Sequence, residues 1–426
     1  MKRFIKAIPI LLTIVLLVST ISSCGTNKGT VNSSSGSSNK PVTITEWLWV
    51  DNNSYMTTMN KIADDFHKKN PNITVKFQTY AYADFNNVLN TALAGGGGPD
   101  TASFKLTWTP AYTQNNYLLD LDTSVSKWSG KSDVLPMLWD KMKLAGTGKI
   151  YTMPWTWQVL YVYYRPSIFS HVGIASVPTT FDEFLADIKK CTTKINGKQV
   201  YGFGLRGTSG GQEPWGSFIQ AYGGRFTDDK GNVTLNTPQT VAGTQAFIDL
   251  YKNGYAPPSA PNDGLAQLEA SFITGQTAMF IHHIGSSVYL QQALGTDVNA
   301  FPVPAGTGGQ WTSMGDTENV VIASTKNQDA SVKWVSYLAS EDAVAAWDLA
   351  TGNLPVCQSV MSLPDFKYNK FMKVSLDSAS YSGIFPILPT TADWVSNQWA
   401  PIMQQALNGQ ITAAEAVKQL DAKLKG

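Results

Sequence analysis

Residues 41–104 read PVTITEWLWVDNNSYMTTMNKIADDFHKKNPNITVKFQTYAYADFNNVLNTALAGGGGPDTASF. Val42, Ile44 and Thr45 lead into Trp47-Leu48-Trp49-Val50, a short strand-like run. Tyr55, Met59, Ile62 and Phe66 follow at helical spacing. Asn70-Pro71 ends that helix, because the residue before a proline is steered out of the α region. Ile73, Val75 and Phe77 alternate as a second strand does, and Phe85, Val88, Leu89 and Leu93 mark a second helix. Gly95 to Gly98 break it, and Pro99-Asp100 opens a third strand that reaches Phe104. Strands and helices alternating at these lengths predict an α/β fold, with a parallel sheet covered on both faces.

The same pattern recurs downstream. Thr180 and Glu183 form a capping box for a helix whose Phe184, Leu185 and Ile188 point inward. Thr237-Pro238 caps a helix that runs to Leu250 and Tyr251 and stops at Gly254. Thr412 and Glu415 cap the last helix, whose Val417, Leu420 and Leu424 face the core. No internal repeat or charge block interrupts this order.

The chain has 426 residues, 43% of them hydrophobic, which is enough for two or three domains or one large two-lobed fold. Lys and Arg number 32 and Asp and Glu 31, so no basic field invites nucleic acid. Three cysteines cannot make a disulfide scaffold at this length. Thirteen tryptophans are ring surface suited to stacking.

The opening segment, Met1 to Ser23, stands apart. Lys2, Arg3 and Lys6 precede an apolar run from Ala7 to Val18, too short to span a bilayer and matched to an export signal. Ile21-Ser22-Ser23-Cys24 resembles a bacterial lipobox, which implies diacylation of Cys24 and a lipid anchor in the cell membrane. Signal removal deletes three basic residues, so the mature chain carries 29 basic and 31 acidic groups, a formal −2. Gly25 to Lys40 is almost wholly Ser, Gly, Asn, Thr and Lys, a flexible tether within residues 24–41. Its coil dimension is roughly 23 Å.

The stretches KKNPNITVKF, ALAGGGGPDTASF and YLLDLD resemble the first lobe of family 1 extracellular solute-binding proteins, the carbohydrate receptors of ABC importers. GKIYTMPW with LYVYYRPSIF is similar to the crossing into their second lobe, SFITGQTAMFI to the return strand, and FPVPAG with VVIAST to the third crossing. ALNGQITAAEAVKQLDAKL resembles their C-terminal helix. The resemblance implies two α/β lobes, each a mostly parallel sheet flanked by helices, joined by three crossings around a sugar-binding cleft. The first lobe would hold 42–156 and 283–320, and the second lobe 157–282 and 321–426. Crossings would fall near Trp155–Gln158, His282–Ile284 and Asn319–Ile322. The resemblance further implies a monomeric extracytoplasmic receptor, no cofactor, and the permease subunits of an ABC transporter as partners.

Ligands of open α/β sheets sit beyond the carboxyl ends of strands. Those ends carry Trp49, Asp51 and Asn52, then Phe104, Lys105 and Trp108. Trp155 and Trp157 share one face of an extended segment where a crossing is expected. Glu213-Pro214-Trp215 matches a run that contacts sugar in maltose-binding relatives, and His282 and Asp316 fall beside crossings. A sugar has an apolar C–H face and a rim of hydroxyls, so rings plus carboxylates, amides and backbone groups suit it. Burying about 50–80 Å² of sugar against one ring contributes on the order of 1–2 kcal/mol.

Other readings of these residues are weaker. Trp128, Trp139, Trp334 and Trp347 lie at helical spacings that suggest packing. His282 and His283 are strand neighbours expected on opposite faces, which argues against a shared metal. Cys191 and Cys357 read as free buried thiols, although an extracytoplasmic compartment permits a disulfide. A glycoside hydrolase would need two opposed carboxylates, and no local motif supplies them. A same-fold receptor for a peptide or polyamine is the nearer alternative.

Overall fold

The computed structural model describes residues 40–50, 55–144, 147–228, 230–367 and 369–426. The export signal, Cys24, nearly all of the tether, and Asp51 and Asn52 lie outside the described residues.

The strands are β1 (Val42–Trp49), β2 (Ile73–Tyr80), β3 (Thr101–Phe104), β4 (Thr152–Tyr164), β5 (Thr193–Ile195), β6 (Lys198–Gly204), β7 (Thr277–His283), β8 (Asn299–Phe301), β9 (Thr312–Val321), β10 (Leu354–Pro355) and β11 (Ser382–Gly383). Helices Tyr55–Lys69 and Tyr82–Ala94 complete the opening β-α-β-α-β order expected from the sequence. Thr180 makes both bonds of its capping box, and Thr237 and Thr412 each accept from a backbone N–H of the first helical turn.

Strands pair in the order β2-β1-β3-β9-β4-β7-β6-β5. Parallel pairs join β1 to β2 and β3, and β6 to β7, while the edge pair β5–β6 is antiparallel. The centre is antiparallel, through β3–β9, β9–β4 and β4–β7. The expectation of mostly parallel sheets therefore fits β2-β1-β3, β6–β7 and the short β9–β11 pair, and not the long central strands. Parallel neighbours need a crossover element on a sheet face, whereas β4 and β9 are long strands that run past each other in opposite directions.

β4 changes partners midway. Thr152 to Val159 pair with β9, and Leu160 to Tyr164 pair with β7 and β8. This passage lies close to the one expected at Trp155–Gln158. β9 begins beside Trp311, whose ring packs on Phe226 and Phe385, and near its end places Val320 in the core that holds Phe104. The second passage is thus β9 itself, and not His282–Ile284.

The C-terminal part also departs from the expected boundary at position 321. Helix Gln328–Leu338 packs Trp334 on Phe66 at 5.1 Å between ring centroids, and Trp334 Nε1 donates to Glu46 on β1. Helix Glu341–Thr351 packs on helix Tyr55–Lys69. The change of core falls later, between Phe371, packed on Tyr161 and Tyr163, and Phe385, packed on Phe226 and Trp394. Amphipathic period alone marks which face of a helix is buried and says nothing of which sheet buries it. Cys191 and Cys357 are buried free thiols in different cores.

Candidate functional site

A cavity of about 540 Å³ opens where the carboxyl ends of β1, β3, β6 and β7 converge on the middle of β4 and β9. That volume lies in the range of roughly 300–1,000 Å³ typical of small-molecule sites. Trp49 and Val50 enter it from the end of β1, Lys105 from the residue after β3, and Arg206 from the loop after β6. The strand-end rule therefore selects four of its walls.

A bulge aims the next wall. Pro154 of β4 faces Glu318 and Thr156 faces Thr317, so Trp155 is the extra, unpaired residue. An inserted residue resets the alternation of faces. Trp155, Thr156 and Gln158 line the cavity, while Trp157 turns away and donates from Nε1 to the Pro355 carbonyl at 2.9 Å. The expectation that Trp155 and Trp157 share the cleft face fails for this reason. Trp155 stacks on Trp347 of helix Glu341–Thr351, with centroids 4.6 Å apart and planes inclined at 29°. Both indole N–H groups are buried without a protein acceptor among the described residues.

Charge is concentrated on the opposite side. The Lys105 ammonium lies 5.6 Å over the Trp49 ring and 5.8 Å over the Tyr82 ring, and donates to the Asp316 carbonyl. Burial opposes its charge, but Tyr82 and the carboxylates of Asp316 and Glu213 outweigh that and raise its pKa. Glu213, in the first turn of helix Gln212–Ala221, also faces the cavity. Burial pushes its carboxyl above the usual range, against the pull of Lys105 and Arg206. Gly210 holds φ +97°, and a Cβ there would stand 2.1 Å from the Arg206 Cζ, so the guanidinium lies flat on this glycine. The helix Leu265–Ile273 adds Leu265, Ala266 and Glu269, and Tyr55 and Tyr289 stand at other edges.

His282 and His283 both line the cavity, with ring centroids 3.9 Å apart. The expected opposite-face arrangement does not hold, because β7 ends at His283 and the chain turns into a short 3-10 segment, Ile284–Ser286. Burial drives both imidazoles well below the ordinary range, His283 to about 3, so both are neutral at pH 7. Among the described residues no cluster of three or more His, Cys, Asp or Glu has metal-holding geometry.

Trp49, Lys105, Trp155, Glu213 and His282 are thus brought together. Phe104 and Trp108 are not: they pack edge-on at 5.3 Å inside the core beneath β3, with Phe104 also against Tyr112. Trp215 is fully buried, donates from Nε1 to Thr244 Oγ1 at 3.1 Å and packs among Phe226, Trp394 and Trp399. Pro214 alone separates it from Glu213, and an offset of two on a helix points side chains apart. Asp316 acts from behind the wall, accepting from the Leu106 N–H at 2.7 Å. Among the residues that sequence reasoning missed, Arg206 follows the end of a strand and was open to the same rule as Lys105. Trp347 and Tyr82 gave no such signal.

The model of the bacterial extracellular solute-binding protein family matches residues 50–345. The diacetylchitobiose binding protein DasA of Streptomyces coelicolor is 26% identical over 405 residues, covering 89% of this chain and 88% of its own. The maltotriose-binding protein of Pyrococcus abyssi is 22% identical over 323 residues, 73% of this chain and 66% of its own. A solute-binding protein of an ABC transporter from Thermotoga lettingae, solved with α-D-tagatose, superposes with a TM-score of 0.82 at 21% identity, covering 90% of this chain and 98% of that one. The GacH receptor of Streptomyces glaucescens superposes at 0.80 with 23% identity, covering 90% and 99%. The fold is therefore that of the two-lobed solute-binding proteins, and the chain belongs to the family of bacterial extracellular solute-binding proteins.

Proposed function

We propose that this protein captures a carbohydrate in the cavity between β1, β3, β6 and β7 and delivers it to the permease of an ABC importer, without chemical turnover. The observation that carries this reading is one cavity holding the Trp155–Trp347 stack, Trp49 and Tyr82, together with Lys105, Arg206, Glu213 and two neutral histidines. Rings cover the C–H faces of a sugar, and donors and acceptors around them meet hydroxyls. The relatives support the same solute class, since DasA is named for diacetylchitobiose and the Thermotoga lettingae protein holds tagatose. Hinge closure follows from a site shared between two lobes, because ligand favours the state in which both sides touch it. The Ile21–Cys24 run supports processing at Cys24, two-chain lipid anchoring and an extracytoplasmic place for the folded part on a Ser/Gly/Asn-rich tether.

A thermal-shift screen against a glycan panel tests the capture step. The matching glycan, at 100 times its Kd, should stabilise the protein by about 2.7 kcal/mol. Peptides and polyamines shifting the melt while every glycan leaves it unmoved would assign the site to another solute. Cys24→Ala should release the protein from membranes, and unchanged membrane retention would refute the anchor.

A further inference from the structure

Among the arginines of the described residues, Arg206 alone is held in place without a partner. Arg165 donates to Asp297 and to the carbonyls of Phe272 and Ile273, and Arg225 donates to those of Gly224 and Gly308. Arg206 takes part in no ion pair among the described residues, and its Nε is buried without an acceptor. Its position is nevertheless fixed by the backbone. Gly210 holds φ +97°, and a Cβ there would strike Cζ, Nη1 and Nη2 together, so the whole guanidinium plane rests on this glycine. With Nε enclosed, the fork formed by Nη1 and Nη2 is the end that meets the cavity.

The second cation is in a similar state. Lys105 donates to the Asp316 carbonyl, an uncharged group, and no carboxylate among the described residues pairs with it. Glu213 faces both cations from beyond ion-pair distance, Glu269 accepts from Ser286, and His282 and His283 are neutral at pH 7. A cation held partly out of water without a counter-ion is unfavourable, and an anion entering the cavity relieves that cost. The shape of the donor narrows the choice of anion. A carboxylate carries two acceptors in one plane, which match two parallel N–H groups of a guanidinium.

We propose, building on the sugar-receptor reading, that the cavity takes an acidic sugar, a hexuronic acid unit whose carboxylate is held by Nη1 and Nη2 of Arg206 with Lys105 as the second cation. A uronic acid differs from its hexose at C6 alone, where a carboxylate replaces the hydroxymethyl group. Its C–H faces and remaining hydroxyls still suit the rings of Trp49, Tyr82 and Trp155. A single negative charge also suits the site better than a phosphate dianion, because Glu213 faces the same space. A neutral hexose would leave the Arg206 fork without its counter-ion, and a site with an unpaired buried group disfavours the ligand that leaves it so.

Calorimetry on the wild-type protein, with pairs that differ in charge alone, tests this. Glucuronate, galacturonate, mannuronate and digalacturonate are each set against their methyl esters, which keep the ring and its hydroxyls and remove the charge. At least one acid should bind at least tenfold tighter than its ester. Arg206→Gln should reduce that preference at least tenfold, and Arg206→Lys, which keeps the charge and loses the fork, should retain part of it, with melting temperatures of the free proteins close to wild type. Acids bound no tighter than their esters in every pair, while a neutral glycan binds, overturn the proposal and leave the sugar-receptor reading standing. So does glucose 6-phosphate or glucose 6-sulfate binding more tightly than every uronate. A preference unchanged in folded Arg206→Gln also overturns it. Absence of binding by every glycan, acidic or neutral, defeats both readings together.

Discussion

Trp155 and Trp347 stack at 4.6 Å although one sits on a strand bulge and the other on a helix far later in the chain. The bulge turns the first indole out of the strand alternation, and the helix brings the second behind it. Two rings in contact form a stiffer platform than one, because each blocks rotation of the other. Trp347→Ala should therefore weaken glycan binding through Trp155, by roughly 0.5–1.5 kcal/mol or about 2- to 13-fold in Kd. Trp155→Ala removes the platform itself and should cost about 1–3 kcal/mol. Calorimetry on both single variants and the double variant checks the coupling. Strictly additive losses would show that the stack contributes nothing to binding.

Trp215 provides the opposite case. It is enclosed by Phe226, Trp394 and Trp399 and bonded to Thr244, so Trp215→Ala should destabilise the fold by about 3–5 kcal/mol. The affinity of the folded fraction should fall by less than about tenfold, a loss under roughly 1.4 kcal/mol. Chemical denaturation and calorimetry separate the two effects. A variant as stable as wild type that no longer binds glycan would return Trp215 to the site.

The contrast between these tryptophans shows how far the sequence could be read. Strand ends were legible at Trp49 and Lys105, because apolar alternation stops there and ligands gather beyond such ends. Caps at Thr180, Thr237 and Thr412 were legible because they are satisfied by near neighbours in the first helical turn. The bulge at Trp155 was not, since it depends on pairing with β9, a strand remote in sequence. The helical spacing of Trp347 predicts packing. It does pack, on Trp155, and the same ring also faces the cavity. The lobe of helix Gln328–Leu338 is not legible in sequence, because its buried face records burial and not the identity of Phe66 and Glu46 as partners.

Glu46 predicts a pH dependence of folding. Its carboxyl accepts from Thr101 Oγ1 and Trp334 Nε1, yet burial raises its pKa from 4.5 to about 8. A raised carboxyl favours the neutral form in the fold. Its contribution is fully present below the unfolded value and is lost as pH rises through the folded value. Glu46→Gln keeps an acceptor and cannot ionise. The stability of this variant relative to wild type should grow between pH 5 and pH 8, by roughly 1.4 kcal/mol per unit at most. Paired melts across that range check the slope. A difference independent of pH would mean that Glu46 is ionised in the folded protein.

Capture of glycan in this cavity is tested by removing Lys105 and Arg206, the two cations that face it among the described residues. Lys105→Ala and Arg206→Ala should each weaken the best glycan from the panel by about 1.5–3 kcal/mol, roughly 10- to 150-fold in Kd. The measurement is a calorimetric titration of that glycan into wild type and both variants, with melting of the ligand-free proteins as control. One site per chain is expected in wild type, with strong loss in both variants and melting temperatures that remain close together. Wild-type affinity in both folded variants would contradict it, because the glycan would then be bound somewhere other than the cavity that Lys105 and Arg206 share.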